Sequence, residues 1–266
     1  MSAERDALQT RGWARFPADD ETAAWVAAAA PLAAEIAADA EARAAWLRCG
    51  GTWFAGVNIL PNGADGAVPG RVPPLAGRAT RFVAEELGLR DVSWDRAQIS
   101  VCYPGYPQPG EEESAAAFRF RRDRDAAHVD GLLRDDQRRR QLGERHAFVL
   151  GLPLSETPVD AAPLVVWDGS HELVRDAFFA RLAGIPSERW GEEDVTDIYT
   201  ETRRQIFETC PRVVVTARPG EAYIVHRLAL HGVAPWQAPP GPPRVIAYFR
   251  PEPPARYPRD WWLAAP

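Results

Sequence analysis

The chain has 266 residues, 46% of them hydrophobic, and a formal net charge of −6 at pH 7. This length is compatible with one barrel-type domain, and the acidic balance argues against nucleic acid as the main partner. Three scattered cysteines without CxxC spacing exclude a disulfide framework and a thiolate metal site. The sequence begins without an apolar signal core, and no apolar stretch reaches membrane-spanning length. We therefore expect a cytoplasmic protein with no membrane partner.

The N-terminal part is expected to be helical. Residues 20–48 are Ala-rich with an apolar stripe, which predicts one or two helices that break or start near Pro31, because proline fits a first helical turn but not an interior. Residues 78–87 predict a further helix, ended by Gly88. Residues 1–90 are accordingly predicted to form a helical flank.

From residue 94 onward, short Val- and Leu-rich segments separated by Pro and Gly predict β-strands. The predicted strands cover residues 94–103, 128–133, 146–154, 163–167, 213–216, 222–225 and 245–249. Residues 108–126 look irregular, and residues 171–208 predict a helical insert. This order favours a mainly β fold, a barrel or double-sheet jelly roll flanked by helices, within a single domain spanning 1–266 whose core is 94–250.

His128 and Asp130 form a His-x-Asp motif in one predicted strand. Side chains two residues apart on a strand point to the same face, so both can reach one ion, and Gly131 leaves room beside them. The motif alone has low specificity, because a chain of this composition has a fair chance of containing one.

His231 and Arg244 extend this motif. His231 follows a predicted strand, and Arg244 opens the next one after a proline-rich loop. The loop is expected to turn the chain so that the two strands lie side by side, with His231 and Arg244 facing one cavity. Together, His128, Asp130 and His231 supply two imidazoles and one carboxylate, a ligand set suited to Fe(II) with open coordination positions. Arg244 can hold the carboxylate of a co-substrate.

Taken in order, these segments resemble the phytanoyl-CoA dioxygenase-like family of Fe(II)/2-oxoglutarate-dependent oxygenases. The matching stretches are Tyr103-Pro104-Gly105, His128-Val129-Asp130, Trp167-Asp168-Gly169-Ser170-His171, and Arg218-Pro219-Gly220-Glu221 through His231-Gly232 to Arg244. The resemblance implies a double-stranded β-helix (cupin-like) fold. It also implies His128, Asp130 and His231 as iron ligands, and Arg244 as the partner of the distal carboxylate of 2-oxoglutarate.

The resemblance further implies an enzyme, a dioxygenase that hydroxylates or otherwise oxidises a small-molecule substrate while 2-oxoglutarate and O₂ become succinate and CO₂. Related halogenases carry a small residue in place of Asp130, so its presence favours hydroxylation. One position departs from the family, because Val233 stands where a Ser or Thr often helps to bind 2-oxoglutarate. Gln98, Ser100 or Tyr103 is then expected to help instead.

Several residues have competing interpretations. His226 precedes His231 at a strand end and is interpreted as structural or as a pocket wall. Trp167, His171 and Trp236 are candidates for the substrate pocket. Core packing is the alternative for the two tryptophans, and a place in a helix cap is the alternative for His171.

His146 is expected to be a core or edge histidine, and Arg250, after the last predicted strand, to lie at the surface. Residues 134–145 are either a solvated loop or a lid over the site. Two other functions stay open at this point. One is a cupin-like hydrolase or isomerase using the same three ligands, and the other is a non-catalytic barrel that binds a metabolite.

Overall fold

The computed structural model describes residues 2–264. In that range the α-helices are Ala3–Arg11 (α1), Asp20–Ala38 (α2), Ala40–Trp46 (α3), Arg78–Glu85 (α4), Ala115–Asp123 (α5), Ser170–Leu182 (α6) and Thr196–Thr209 (α7). Two 3₁₀ helices of the described chain lie at Ser187–Glu192 and Arg259–Leu263. The strands of the same range are Trp13–Phe16 (β1), Leu47–Arg48 (β2), Trp53–Gly56 (β3), Gln98–Cys102 (β4), Leu132–Arg134 (β5), Arg140–Leu142 (β6), Phe148–Pro153 (β7), Leu164–Trp167 (β8), Arg212–Val215 (β9), Ala222–His226 (β10), His231–Val233 (β11) and Arg244–Phe249 (β12).

Two antiparallel sheets form the centre of the described chain. The large sheet has the strand order β1-β10-β7-β12-β4-β3-β2, and the small sheet has the order β11-β8-β9. Side chains of both sheets share one core, in which Leu164 and Val166 of the small sheet belong with Val149, Tyr223 and Ile246 of the large sheet. This arrangement is a jelly roll of the double-stranded β-helix type, so the predicted fold class is confirmed.

Strand β12 divides its side chains between two layers of the molecule. Ile246 and Tyr248 pack between the sheets, whereas Phe249 points to the helical layer outside the large sheet. The Phe249 ring is fully buried, with its centroid 5.6 Å from that of Trp25 in α2 and 5.5 Å from that of Trp94. These aromatic contacts hold α2 over the outer face of the large sheet.

The prediction that the first ninety residues are only a helical flank is wrong. Strand β1 pairs with β10 at one edge of the large sheet, and β2 and β3 continue from β4 at the other edge. These strands contain two to four residues each. Alternation over so few positions cannot be distinguished from a loop, and their partners lie far away in the sequence.

Helix α2 does not break at Pro31. The proline lies inside the helix and is exposed, so water can solvate the carbonyl group that proline leaves without a partner. The break comes at Asp39, whose carboxylate accepts from the Ala42 N–H and caps α3. Between residues 2 and 264, no single helix is long and apolar enough to cross a membrane, and α2 and α3 pass such a test only as a pair bent by 79°.

Two further segments differ from the prediction. Residues 108–126, expected to be irregular, contain α5, which the Ser114 hydroxyl caps by accepting from the Ala117 N–H. Strands β5 and β6 make residues 132–142 a hairpin. The Arg140 N–H donates to Thr196 Oγ1 at 2.7 Å, which ties this hairpin to the start of α7.

We expect Phe249→Ala to lower the free energy of unfolding by about 3–5 kcal/mol, since it leaves a cavity between Trp25 and Trp94. Urea unfolding followed by circular dichroism measures this loss. The control is Val214→Ala, at a β9 side chain that is 43% exposed, and it should cost less than about 1 kcal/mol. Equal losses would contradict the role given to the aromatic contacts.

Candidate metal centre

His128, Asp130 and His231 converge in the structure. One candidate ligand atom from each residue lies within 4.8 Å of the other two. Nε2 of His128 is 3.3 Å from Oδ1 of Asp130, and Nε2 of His231 is 3.6 Å from Oδ2. The three side chains that were predicted from the sequence to be iron ligands therefore form one cluster.

The backbone places the two histidines. His231 opens β11, and His128 pairs with it in an isolated antiparallel bridge whose N–H···O distances are 2.8 and 3.0 Å. The predicted strand does not continue through Asp130, because Gly131 has φ +82° and turns the chain. His128 and Asp130 nevertheless reach the same side, as their spacing of two residues predicted.

Both imidazoles are oriented as a metal ligand requires. Nδ1 of His128 lies 2.9 Å from the Ala126 carbonyl oxygen, and Nδ1 of His231 lies 3.0 Å from the Ala229 carbonyl oxygen. A carbonyl oxygen only accepts, so Nδ1 of each ring carries a proton, and in the neutral ring the lone pair is then on Nε2, toward the cluster. Burial lowers the pKa of His231 to about 4, so that this ring is neutral at pH 7.

The carboxylate of Asp130 is paired with Arg250. Its Oδ2 accepts from Nε of Arg250 at 2.7 Å, and Nη1 of the same arginine donates to Oε1 of Gln98 at 2.6 Å. Burial alone would raise the pKa of Asp130, but Arg250, His231 and His128 outweigh it and hold that pKa well below its ordinary value. Asp130 is therefore ionised, with one oxygen on Arg250 and the other facing His128.

The prediction that Arg250 lies at the surface is wrong. Its side chain is 20% exposed and lines the cavity at the cluster. It follows β12 directly and continues the alternation of Ile246 and Tyr248, which point inward. Extending the inward alternation of Ile246 and Tyr248 by two more residues would have predicted from the sequence that Arg250 points inward.

Arg244 lies on the same face of β12, at its start. Its residue is 6% exposed, and Nη2 donates to the Tyr248 hydroxyl at 3.2 Å. Nη1 is buried and has no hydrogen-bond partner in residues 2–264. The Tyr223 hydroxyl also donates to that of Tyr248, at 3.1 Å. A buried guanidinium N–H without an acceptor is costly, so this position suits an anion.

His231 and Arg244 do not lie on neighbouring strands, contrary to the prediction. Strand β11 pairs with β8 in the small sheet, and β12 pairs with β4 and β7 in the large sheet. The proline-rich loop between them crosses from one sheet to the other. A loop so poor in N–H donors is ill suited to closing a hairpin.

A cavity of about 260 Å³ lies beside the cluster, between the two sheets. Gln98, Ser100 and Tyr248 line it, whereas Arg244 lines a neighbouring cavity that Tyr223 also borders. The linked hydroxyls of Tyr248 and Tyr223 thus lie at the boundary between the two cavities.

Tyr103 does not reach the cavity at the metal cluster. It follows β4 and packs with the outer core, and its hydroxyl accepts from Nη1 of Arg43 at 3.2 Å. The register explains the difference, since Gln98 and Ser100 share one face of β4 and Tyr103 is on the other.

The three candidates for the substrate pocket also lie outside this cavity. Trp167 packs against Phe207 of α7, with ring centroids 5.3 Å apart. His171 is buried, and its Nε2 donates to the Gln9 carbonyl oxygen at 2.9 Å. Trp236 donates from Nε1 to the carbonyl oxygen of residue 238 at 2.8 Å. Their surroundings are those of packing residues.

Two further histidines, His226 and His146, are not part of the three-residue cluster. The His226 ring lies 5.0 Å from that of His171 and away from the cluster, so His231 is the histidine that joins Asp130. His146 lines the cavity, with Nδ1 at 2.9 Å from the Arg250 carbonyl oxygen and Nε2 at 3.0 Å from a Glu144 carboxylate oxygen. It is therefore a satisfied histidine, as predicted, but one that borders the site.

Solved structures of other proteins share the fold of this chain. No protein-family model and no curated protein matches the chain. The chain is similar to the solved structure of SnoK, a non-heme α-ketoglutarate-dependent carbocyclase from nogalamycin biosynthesis, at 14% identity and a TM-score of 0.52, over 95% of this chain and 84% of SnoK. It is also similar to EvdMO1, at 17% identity and a TM-score of 0.52, over 95% of this chain and 50% of EvdMO1. At such identities the likeness shows a shared fold.

Gly232 is required where β11 meets the turn before His128. A Cβ added to Gly232 would lie 2.1 Å from the Asp125 carbonyl oxygen, which accepts from the Val233 N–H at 2.9 Å. An alanine there must push this turn outward, and His128 with it.

We expect Gly232→Ala to weaken binding of Mn(II) about 10–100-fold, as displacement of a ligand or its support does in metal sites. Isothermal titration measures the affinity, and circular dichroism verifies the fold. The control is Gly241→Ala, where the nearest atom to an added Cβ is 3.8 Å away and affinity should not change. Parent-like affinity in Gly232→Ala would contradict the close approach described above.

Proposed function

We propose that this protein is an Fe(II)- and 2-oxoglutarate-dependent dioxygenase of the phytanoyl-CoA dioxygenase-like type, which hydroxylates or otherwise oxidises a small organic molecule. The observation that carries the proposal is the cluster of two imidazoles and one carboxylate beside a cavity inside a double-stranded β-helix. This donor set suits Fe(II) with open coordination positions. Bound Fe(II) would supply the activation of O₂, coupled to conversion of 2-oxoglutarate to succinate and CO₂.

His128, Asp130 and His231 would hold the ion. The protonated Nδ1 of each histidine is fixed on a backbone carbonyl, which leaves both Nε2 lone pairs toward the cluster. Asp130 is ionised without any metal present, because its charged neighbours outweigh burial in setting its pKa. The remaining walls of the cavity are then available to 2-oxoglutarate, O₂ and substrate.

Arg244 would bind the distal carboxylate of 2-oxoglutarate. Its buried Nη1 lacks an acceptor among the described residues, and a carboxylate would supply one in a charge-assisted hydrogen bond. The Tyr248 hydroxyl bonds to Arg244 and borders the metal cavity, so it is placed to assist where Val233 offers no hydroxyl. Ser100 also lines this cavity. It accepts from Nε1 of Trp53 and keeps its own O–H to donate.

Arg250 would act as a positioning residue for Asp130. It occupies Oδ2 of the carboxylate and is itself held by Gln98. This contact limits rotation of the carboxylate and leaves Oδ1 for the ion. It also cancels the charge of Asp130, so the positive charge of the ion stays available for an anionic co-substrate.

We further propose that the chain forms a single oxygenase domain in the cytoplasm, in which α6 and α7 are an insert between β8 and β9. The acidic net charge and the scattered cysteines support a partner set limited to small molecules, without nucleic acid or membrane. Gln98 and Ser100 stay within the proposed co-substrate region, and Trp167, His171 and Trp236 are left out of the substrate pocket.

Anaerobic addition of Fe(II) and then 2-oxoglutarate should produce the weak visible absorption band of a chelated 2-oxo acid. His128→Ala should abolish it, because one imidazole is lost. Arg244→Ala should bind 2-oxoglutarate about 10–100-fold more weakly with unchanged metal affinity, since it removes hydrogen bonds to a charged group. Succinate formation in air distinguishes the oxygenase from a hydrolase or a binding barrel.

The matched control for Arg244 is Arg71→Ala, which removes a half-exposed arginine paired with Glu35 and should leave the band unchanged. A band that survives in both His128→Ala and Arg244→Ala would refute the proposed function.

Arg250→Gln should lower the affinity for Mn(II) about 10–100-fold, the usual effect of removing the partner of a ligating carboxylate. Repulsion between the arginine and the ion acts in the opposite direction, but the buried carboxylate loses both its orientation and its counter-charge. Isothermal titration in the absence of 2-oxoglutarate measures the effect without reference to activity. Arg71→Gln serves as control, and tighter binding by Arg250→Gln would overturn the positioning role.

A further inference from the structure

A groove on the protein surface continues into the metal cavity. It encloses about 430 Å³, and Trp53, Ala55 and Val57 line both the groove and the cavity. These residues alternate along β3 and its end, so their side chains share one face. Val57 is 44% exposed, which makes it one of the few large hydrophobic side chains in residues 2–264 left to solvent. The groove is thus an apolar route from the surface to the cluster.

Two of the three charged side chains that line the groove, Glu113 and Arg121, form an ion pair. Oε1 of Glu113 accepts from Nε and Nη2 of Arg121 at 3.1 and 2.9 Å. The guanidinium of Arg48 donates to the carbonyl oxygens of Ala45 and Leu47 at 2.6 and 3.0 Å. These neutral carbonyl oxygens leave the charge of Arg48 uncompensated, but Arg48 is exposed in the outer groove and does not line the metal cavity.

At the inner end of the route, both carboxylates have a hydrogen-bonding partner. Asp130 is paired with Arg250, and Glu144 with His146. The indole N–H of Trp53 donates to the Ser100 hydroxyl at 3.0 Å, so the tryptophan offers its ring surface to a ligand. Among the described residues that line the metal cavity, the one arginine is paired with Asp130, and the rest of the surface is largely hydrocarbon and aromatic.

From these observations we propose that the substrate is an uncharged molecule with a largely apolar body, bound along Trp53, Ala55 and Val57 with its oxidisable carbon toward the metal cluster. This inference rests on the proposed function, which makes the cluster the reacting end. Burial of hydrocarbon against these side chains is favourable, whereas a buried charge without a counter-charge is costly.

Two probes of one shape and different charge test the proposal. The protein is loaded with Mn(II) and 2-oxoglutarate, and either 2-naphthol, neutral at pH 7, or 2-naphthoate is added. Paramagnetic Mn(II) broadens the proton NMR signals of a probe that binds beside it. We expect saturable broadening of 2-naphthol and binding of 2-naphthoate at least about tenfold weaker, because the carboxylate lacks a counter-charge.

Val57→Arg should reverse this preference by placing a cation on the route. The matched control is Val214→Arg, since Val214 is 43% exposed and lies on β9. This control should behave as the parent does. Mn(II) affinity, measured for each variant, verifies that the cluster is intact.

The possible results distinguish a failure of the proposed function from a failure of the substrate inference. If Mn(II) does not bind, the metal centre and the proposed function fail, and the substrate inference fails with them. If Mn(II) binds but the parent prefers 2-naphthoate, or Val57→Arg leaves the preference unchanged, the substrate inference is overturned while the metal centre stands.

Discussion

The candidate site depends on one pair of backbone hydrogen bonds, those between His128 and His231. They join a turn-rich segment to the small sheet at a single residue, with N–H···O distances of 2.8 and 3.0 Å. Because side chains alternate across a strand, a slip of one residue in this pairing would send one imidazole to the opposite face. Gly232 permits the approach, since a side chain there would meet the Asp125 carbonyl oxygen.

Around this bridge, burial and neighbouring charges have opposite effects on pKa values, and their balance decides the protonation state of each ionisable side chain. Burial keeps His231 neutral, so its lone pair is available to a metal. Burial would also raise the pKa of Asp130, but the Arg250 guanidinium beside it holds that pKa well below its ordinary value. Arg244 stays buried, and its Nη1 amino group has no hydrogen-bond partner in the described part of the chain, which favours an anion in its neighbourhood. The site therefore combines two imidazole donors, a carboxylate paired with Arg250, and the guanidinium of Arg244.

Much of the fold followed from hydrophobic alternation. Strands β4, β7, β8, β10 and β12 overlap predicted segments, as do α4, α6 and α7. Edge strands such as β1 were missed because their pattern is too short, and the separation of β11 from β12 was missed because strand pairing is a long-range property. The grouping of His128, Asp130 and His231 came from residue spacing and a family resemblance. Arg250 was overlooked because the inward alternation of β12 was not extended past Phe249.

The hydrogen-bonded hydroxyls of Tyr223 and Tyr248 have a consequence for which keto acids the proposed enzyme accepts. They lie at the boundary of the cavity that contains the cluster, and Arg244 is fixed to one of them. A dicarboxylate anchored at both ends must span a set distance between cluster and guanidinium. In the proposed enzyme, a co-substrate bound at both ends would have to match this distance, so that a shorter acid would not reach both ends and a longer one would have to bend or displace the Tyr248 side chain.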